Sequence, residues 1–151
     1  MNREIKFRGK RTDNGEWVYG YYALLGGNSF IYTGKKELYK PSPTHCFMYE
    51  DFSCHKVIPE TVGQFTGLHD ADGKEIYEDD IIECIDSKGD PIRHQILYSD
   101  KRGCLCKYGT KYEAWNDGYI DCGAITQSYL IEHDKYVIGN IHDNPDLLTT
   151  K

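Results

Sequence analysis

The first part of the chain alternates apolar and polar positions with a period of two. Ile5 and Phe7 lie on one side of the opening segment and charged residues on the other, which is typical of a half-buried β-strand. Asn14-Gly15 predicts a hairpin turn, because this pair readily adopts positive φ angles. The aromatic segments Trp17–Leu24 and Phe30–Tyr32 then predict the second and third strands of a meander.

The segment after this meander has no comparable alternation. Pro41 and Pro43 block regular strand pairing, because proline lacks the amide donor. Within the same segment, Cys46–Tyr49 predicts a short edge strand. We therefore predict an amino-terminal β-rich module over residues 1–58, with an irregular loop over residues 33–56.

Short strand-like segments resume after Pro59. They are Val62–Gly67, Glu75–Tyr77, Asp80–Ile85, Ile92–Tyr98, Gly103–Tyr108, Tyr119–Ile125 and Tyr136–Ile141. Their spacing of roughly ten residues suits a small closed or partly open barrel. Asn144 and Pro145 predict a short capped helical turn near the carboxy terminus. The predicted fold class is all-β, with a barrel module over residues 59–148 and a tail over 149–151.

Tyrosine content and charge change this picture in two ways. The chain has 13 tyrosines in 151 residues, and tyrosine suits half-exposed strand faces because its ring packs while its hydroxyl reaches water. The net charge of −6 argues against non-specific nucleic-acid binding by the whole molecule. Residues 1–40 carry eight basic and four acidic residues (+4), whereas the remainder carries ten and twenty (−10). Such asymmetry predicts an oriented interface, including head-to-tail self-association; chance scatter of charge is the alternative.

The distribution of apolar residues also bears on the compartment. The chain has no run of about 18 apolar residues, so no membrane span is predicted. The first six residues lack the apolar core of a signal peptide. We therefore expect a cytoplasmic protein whose six cysteines are free thiols, mostly buried as small apolar side chains.

Two groups of metal-binding residue types occur, at His45, Cys46, Cys54 and His55, and at Cys104 and Cys106. Neither has the paired cysteine spacing of a zinc knuckle. Cys54 and His55 are adjacent, so on a strand their side chains point apart and cannot pair for catalysis, whereas Cys84 or Cys122 with a distant histidine stays an open alternative. The acidic residues around Gly73 do not fit a calcium loop either, because the template places Leu68 at its first ligand position. We therefore expect no catalytic residue, no metal and no cofactor.

Nucleic-acid binding is a second hypothesis for the amino-terminal module. Small β-barrels often bind single strands with aromatic side chains and basic rims. This module has such residues at Tyr19, Tyr21, Lys35, Lys36, Tyr39 and Lys40. The favoured interpretation is that the tyrosines build the sheet and an oligomer interface; all six residues are candidate contacts to nucleic acid or to a partner.

Several segments together resemble a known family. They are Arg3–Lys10, Asp13–Gly20, Ile58–Leu68, Asp72–Ile82 and Val137–Leu148. As a set they are similar to the YopX family of phage and prophage proteins, almost from end to end. The resemblance implies an SH3-like barrel after a smaller β-rich part, a phage or prophage origin and self-assembly. It implies no catalytic residues.

The segment from Asp72 to Ile82 contains one departure from this family pattern. We interpret Asp72, Gly73, Asp79 and Asp80 as a structural corner that leads into a strand. The family usually has glycine where this chain has Asp79, and glycine allows an unusual backbone angle there. Aspartate can adopt the same left-handed conformation at some cost, so we expect the corner to be kept.

Three functional hypotheses follow from these observations. The first is a non-enzymatic phage accessory protein in the cytoplasm of the bacterial host, which forms homo-oligomers and binds a host or phage protein. The second is a nucleic-acid-binding module that uses the basic amino-terminal face. The third is a metal-dependent enzyme, for which the cysteine and histidine groups are the visible chemistry.

Overall fold

The computed structural model describes residues 4–34, 53–99, 103–108 and 125–149, with strand backbone alone for 103–108. The chain divides into two compact units. The amino-terminal unit is Ile5–Gly63, and the carboxy-terminal unit is Gln64–Lys151 together with Met1–Glu4. The division therefore falls five residues after the end of the module predicted over residues 1–58.

The amino-terminal unit contains four antiparallel strands in the order β4-β3-β2-β1. The strands are β1 (Phe7–Lys10), β2 (Trp17–Leu25), β3 (Asn28–Thr33) and β4 (Ser53–Lys56), and a 3₁₀ helix follows at Pro59–Thr61. The meander of β1 to β3 agrees with the prediction. The predicted irregular loop is wrong for residues 53–56. These four residues form β4, and each of them pairs with a residue of β3. The side chains of β4 show no apolar alternation, so backbone hydrogen bonds to β3 are what stabilise it as a strand.

Part of one face of this sheet forms the interior of the amino-terminal unit. Ile31 and Val57 are fully buried there, whereas Leu24 near the end of β2 is 63% exposed on the same face. Gly9 approaches the Val57 side chain closely, and a Cβ atom at Gly20 would overlap the carbonyl oxygen of Tyr32. Close packing therefore requires glycine at position 20, and at Gly9 a Cβ atom would be tight against the Val57 side chain.

The carboxy-terminal unit contains a four-stranded antiparallel sheet and a strand pair. The sheet has the order β10-β7-β8-β9, and β5 pairs with β6. The strands are β5 (Gly63–His69), β6 (Glu75–Tyr77), β7 (Asp80–Ile85), β8 (Pro91–Ser99), β9 (Gly103–Tyr108) and β10 (Tyr136–Asn140). Helix α1 spans Gln127–Glu132, and a 3₁₀ helix spans Pro145–Leu148. The all-β fold class is confirmed; closure into an SH3-like barrel stays a prediction.

Helix α1 was not predicted from the sequence. Its Leu130 is fully buried and packs with Ile76, Ile82 and Ile96 in the core of the unit. The Oγ1 atom of Thr126 accepts a hydrogen bond from the Tyr129 amide at 3.2 Å and so caps the helix. With six residues the helix is too short to display a 3.6-residue period, and the cap was the available signal.

The helical turn near the carboxy terminus is present, but its predicted cap is wrong. The side chain of Asn144 makes no capping hydrogen bond, and its Oδ1 atom accepts instead from the Asn140 amide at 3.4 Å. The predicted strands Cys46–Tyr49 and Tyr119–Ile125 lie mostly or wholly outside the described residues. Within the described ranges, no helix has the length and apolar character needed to cross a membrane.

Candidate functional site

The acidic corner between β6 and β7 is a structural joint. Asp79 adopts a φ angle of +67°, the left-handed conformation expected for it. Its Oδ1 atom accepts a hydrogen bond from Gln95 at 2.9 Å. The neighbouring Asp80 is buried, and its Oδ2 atom accepts from the Tyr77 amide at 2.8 Å. Both carboxylates therefore hold β7 in place beside its neighbours.

The turn before this corner depends on Asp70, which the sequence analysis treated only as part of an acidic cluster. Asp70 is buried, and one carboxylate oxygen accepts from the amides of Asp72 and Lys74 at 3.0 and 2.9 Å. The other oxygen accepts from the Val137 amide on β10 at 3.0 Å. Gly73 completes the turn with a φ angle of +86°. Backbone amides thus occupy the carboxylate that would otherwise be available to a cation.

The closing segment of the chain meets the same corner. The Nε2 atom of His142 lies 3.3 Å from the Oδ2 atom of Asp79. The Ile141 amide donates to the Asp79 carbonyl oxygen at 3.1 Å. Asn140 accepts hydrogen bonds from the amides of His142 and Asp143 and so shapes the turn. The two most distinctive sequence segments therefore join the strands of the fold.

The amino-terminal unit presents a different kind of surface on the outer side of its sheet. Strand register places alternate residues of β1 to β4 on this side. We call it the aromatic face, defined by Trp17, Tyr19, Tyr21, Phe30 and Tyr32 with Arg8, Lys10 and Lys56. Its strand positions include three basic residues and no aspartate or glutamate. Tyr19 and Tyr21 are 45% and 58% exposed, and Leu25 at the end of the same row is 53% exposed.

Two of the three basic side chains of the aromatic face, Arg8 and Lys10, contact the Trp17 ring, and Arg8 is buried beside it. The guanidinium carbon of Arg8 lies 4.8 Å from the centre of the Trp17 ring, and the Lys10 Nζ atom lies 5.8 Å from it. These distances are in the range of cation–π contacts. On the far side of the face, a hydrogen bond with Cys54 is the main cause that raises the pKa of Tyr32. The face thus combines exposed rings with positive charge.

The predicted contact residues are only partly placed. Tyr19 and Tyr21 lie together on the aromatic face, whereas Lys35, Lys36, Tyr39 and Lys40 lie outside the described residues. Arg8, Lys10 and Trp17 were not among the predicted contact residues. Alternation could have placed Arg8 and Lys10 on one face of β1, and Trp17 and Tyr19 on one face of β2. The hairpin register, which puts both pairs on the same side of the sheet, comes from the structure.

A cleft of about 740 Å³ opens in the carboxy-terminal unit. It is lined by Cys84, His94, Tyr129, Glu132, His133 and Lys135, among others. The Lys135 side chain is buried, and its Nζ atom lies 2.7 Å from the Cys84 sulfur. Burial, with a smaller contribution from the Lys135 charge, lowers the pKa of His94 to about 3. The imidazole is therefore neutral near pH 7.

The predicted metal-binding types do not converge in the part of the chain that the structure describes. There, no group of three histidine, cysteine, aspartate or glutamate side chains could hold a metal ion. Cys54 and His55 pair with Tyr32 and Ile31, respectively, and so point to opposite faces of β4. Cys54 and Cys84 are free thiols. Cys54 is exposed, whereas most cysteines were expected to be buried. His45 and Cys46 lie outside the described residues, and the side chains of Cys104 and Cys106 are not among those described.

Comparison with known proteins places the chain in a sequence family and a fold. The family model described as YopX protein matches residues 6–149. The crystal structure of protein EF1440 from Enterococcus faecalis is similar, with a TM-score of 0.54 and 23% sequence identity. The match covers 97% of this chain and 99% of the EF1440 chain, and at this identity it supports the fold alone. No curated protein matches this chain.

Proposed function

Since the chain belongs to the YopX family, we propose that it is a non-enzymatic phage or prophage accessory protein that acts by binding. In this proposal it works in the cytoplasm of the bacterial host, assembles with further copies of itself and contacts a host or phage protein. The observation that carries the proposal is the aromatic face, because it places exposed rings and positive charge on one side of a regular sheet.

The composition of the aromatic face favours a protein contact. Tyr19, Tyr21 and Leu25 expose about half of their surface along one row of β2. Tyrosine, tryptophan and arginine are enriched in protein interfaces, and buried aromatic anchors carry much of the binding free energy. The excess of acidic residues after residue 40 offers a complementary charge on a second copy of the chain.

The non-enzymatic part of the proposal has its own support. The carboxylates of Asp70, Asp79 and Asp80 are engaged in hydrogen bonds that hold strands together. The adjacent Cys54 and His55 diverge across the plane of β4, so the thiol and imidazole do not form a nucleophile–base pair.

Light scattering coupled to size-exclusion chromatography tests the self-association. At tens of micromolar we expect the wild-type mass to exceed that of a monomer. Tyr19→Ser combined with Tyr21→Ser should return the protein to a monomer, because it removes two exposed rings from the face. Tyr98→Ser is the matched control, since Tyr98 is 54% exposed on β8 of the other unit. A monomeric wild-type protein would overturn this part of the proposal.

Single-stranded nucleic acid is the second candidate ligand for the same face. Lys10 and Lys56 share the face with Trp17 and the tyrosines, and aromatic platforms with basic neighbours bind single strands by stacking and charge. Fluorescence anisotropy with labelled single-stranded DNA and RNA at low salt tests this candidate.

The variants for that measurement reverse lysine charges on the aromatic face and, as a control, at one exposed lysine of the other unit. Lys10→Glu with Lys56→Glu should weaken binding on the order of tenfold or more, because two phosphate contacts are lost. Lys88→Glu lies in an exposed hairpin turn of the other unit and should have a smaller effect. Absence of an anisotropy change with wild-type protein would dismiss nucleic acid as the ligand.

A further inference from the structure

The contact between Lys135 and Cys84 is the most unusual pairing of reactive groups in the described residues. Lys135 is only 3% exposed, and its Nζ atom donates to the Cys84 sulfur at 2.7 Å. Its Nζ atom also lies 5.5 Å from the centre of the Tyr129 ring. Across residues 4–34, 53–99 and 125–149, no carboxylate forms an ion pair with this ammonium group.

The backbone on either side of Lys135 is held firmly. Its amide donates to the Leu130 carbonyl oxygen at 3.0 Å, and its carbonyl oxygen accepts from Ala71 at 2.9 Å. The preceding residue, Asp134, has a φ angle of +45°, so the chain turns sharply before β10 begins. Together these contacts fix the origin of the lysine side chain, and the amine stays beside the sulfur of Cys84 on β7.

The sulfur is open to small solutes. Cys84 is half-buried, and it lines the cleft together with the buried and neutral His94. The thiolate is the form of cysteine that reacts with peroxide. A peroxide molecule is much smaller than the cleft of about 740 Å³, so it can reach the sulfur from solvent.

We propose that Cys84 and Lys135 form a modification site that responds to hydrogen peroxide by closing a sulfur–nitrogen crosslink. In the first step the thiolate sulfur attacks one peroxide oxygen, the oxygen–oxygen bond breaks, and the departing hydroxide takes the Lys135 proton and leaves as water. Sulfur is oxidised by two electrons to the sulfenic acid, and the peroxide is reduced.

In the second step the neutral Lys135 amine attacks the sulfenic sulfur. The sulfur–nitrogen bond forms, the sulfur–oxygen bond breaks, and the hydroxyl group leaves with an amine proton as water. Sulfenic acids are known to condense with nitrogen in this way. The crosslink joins Cys84 on β7 to Lys135, the residue before β10. Because β7 and β10 are already paired, the crosslink needs side-chain movement and no rearrangement of the sheet.

Peptide mapping by mass spectrometry tests the proposal on the full-length wild-type chain. The reduced protein is treated with hydrogen peroxide, digested, and compared with an untreated sample. We expect the Cys84 peptide joined to the Lys135 peptide, lighter than their sum by two hydrogen atoms, and released again by dithiothreitol. A disulfide from Cys84 to another cysteine, a Cys84 that stays reduced, or a Cys84 trapped as sulfenic acid without the crosslink overturns the proposal.

Two further measurements separate this chemistry from general oxidation. Lys135→Met should abolish the crosslink and raise the share of oxidised Cys84 that dimedone captures as sulfenic acid, because the resolving amine is gone. Cys54 is the internal control, since it is an exposed thiol on β4 that should react with dimedone without joining a lysine. Equal dimedone capture at Cys84 in the wild-type and Lys135→Met proteins counts against the amine's role, and the wild-type mapping stands whether or not the variant folds.

Discussion

The aromatic face of the amino-terminal unit and the acidic corner of the carboxy-terminal unit use their distinctive residues in opposite ways. At the corner and in the turn before it, Asp70, Asp79 and Asp80 direct their carboxylates at backbone amides and neighbouring side chains. On the aromatic face, Tyr19 and Tyr21 leave about half of their surface in solvent. The most specific sequence motif of this chain therefore maintains its fold, whereas the less specific tyrosine alternation leaves exposed rings on the face that we propose as the contact surface.

The largest expected effect is at Asp70. Asp70→Ala removes the acceptor of three backbone amides, two of them in its own turn and one on β10. Leaving buried amides without a partner should lower the free energy of unfolding on the order of 4 kcal/mol, measured by urea denaturation. Asp72→Ala is the control at an exposed position of the same turn and should change stability by less than about 0.5 kcal/mol. Equal effects at both positions would contradict the structural role of the corner.

The second prediction concerns pH and His94. Its ordinary pKa of 6.5 applies in the unfolded chain, whereas burial and the nearby Lys135 charge lower it to about 3 in the fold. Between these values the unfolded chain binds the extra proton, so stability is full above about pH 6.5 and declines as the pH falls towards 3. From about pH 7 to about pH 4.5, this histidine should cost on the order of 3 kcal/mol.

Urea denaturation of wild-type and His94→Gln proteins at both pH values isolates this contribution, because all other titratable groups are the same in the two proteins. We expect the loss of stability on acidification to be smaller in the variant. An identical pH dependence in the two proteins would show that His94 titrates normally in the fold.

The third prediction examines the left-handed residue at the corner. Asp79→Gly relieves the strain of a positive φ angle but loses the hydrogen bonds to Gln95 and His142, so the net change should stay within about 1 kcal/mol. Asp79→Ala loses the same bonds and keeps the strain, and it should cost roughly 2 kcal/mol. Thermal or urea denaturation of the pair gives the difference. Alanine as well tolerated as glycine would argue that the backbone angle carries no strain.

The smallest effect on stability is expected on the aromatic face. Tyr21→Ser should change the free energy of unfolding by less than about 0.5 kcal/mol, because the ring is 58% exposed. The same variant should weaken self-association measured by light scattering, which would separate contact from folding. A large loss of stability would show instead that the face belongs to the structural core.

Local patterns were sufficient for much of the strand content. The alternation in Trp17–Leu25 and the turn at Asn14-Gly15 identified the first hairpin, because turn chemistry and side-chain period act over a few residues. Ser53–Lys56 gave no such signal, since this short and largely polar segment becomes a strand only through hydrogen bonds to β3. Helix α1 was not predicted for a related reason, because its stability comes from burying Leu130 against strands elsewhere in the chain.

The strands, the hairpin turns and the left-handed aspartate follow from short stretches of residues, because steric and hydrogen-bonding preferences of the backbone are local. The groups that meet at sites do not follow from them. Lys135 and Cys84 are 51 positions apart, His142 and Asp79 are 63 apart, and Val137 and Asp70 are 67 apart. Such encounters depend on how β7 and β10 pair and on which faces are buried, and the free energy that selects them comes from packing the whole unit.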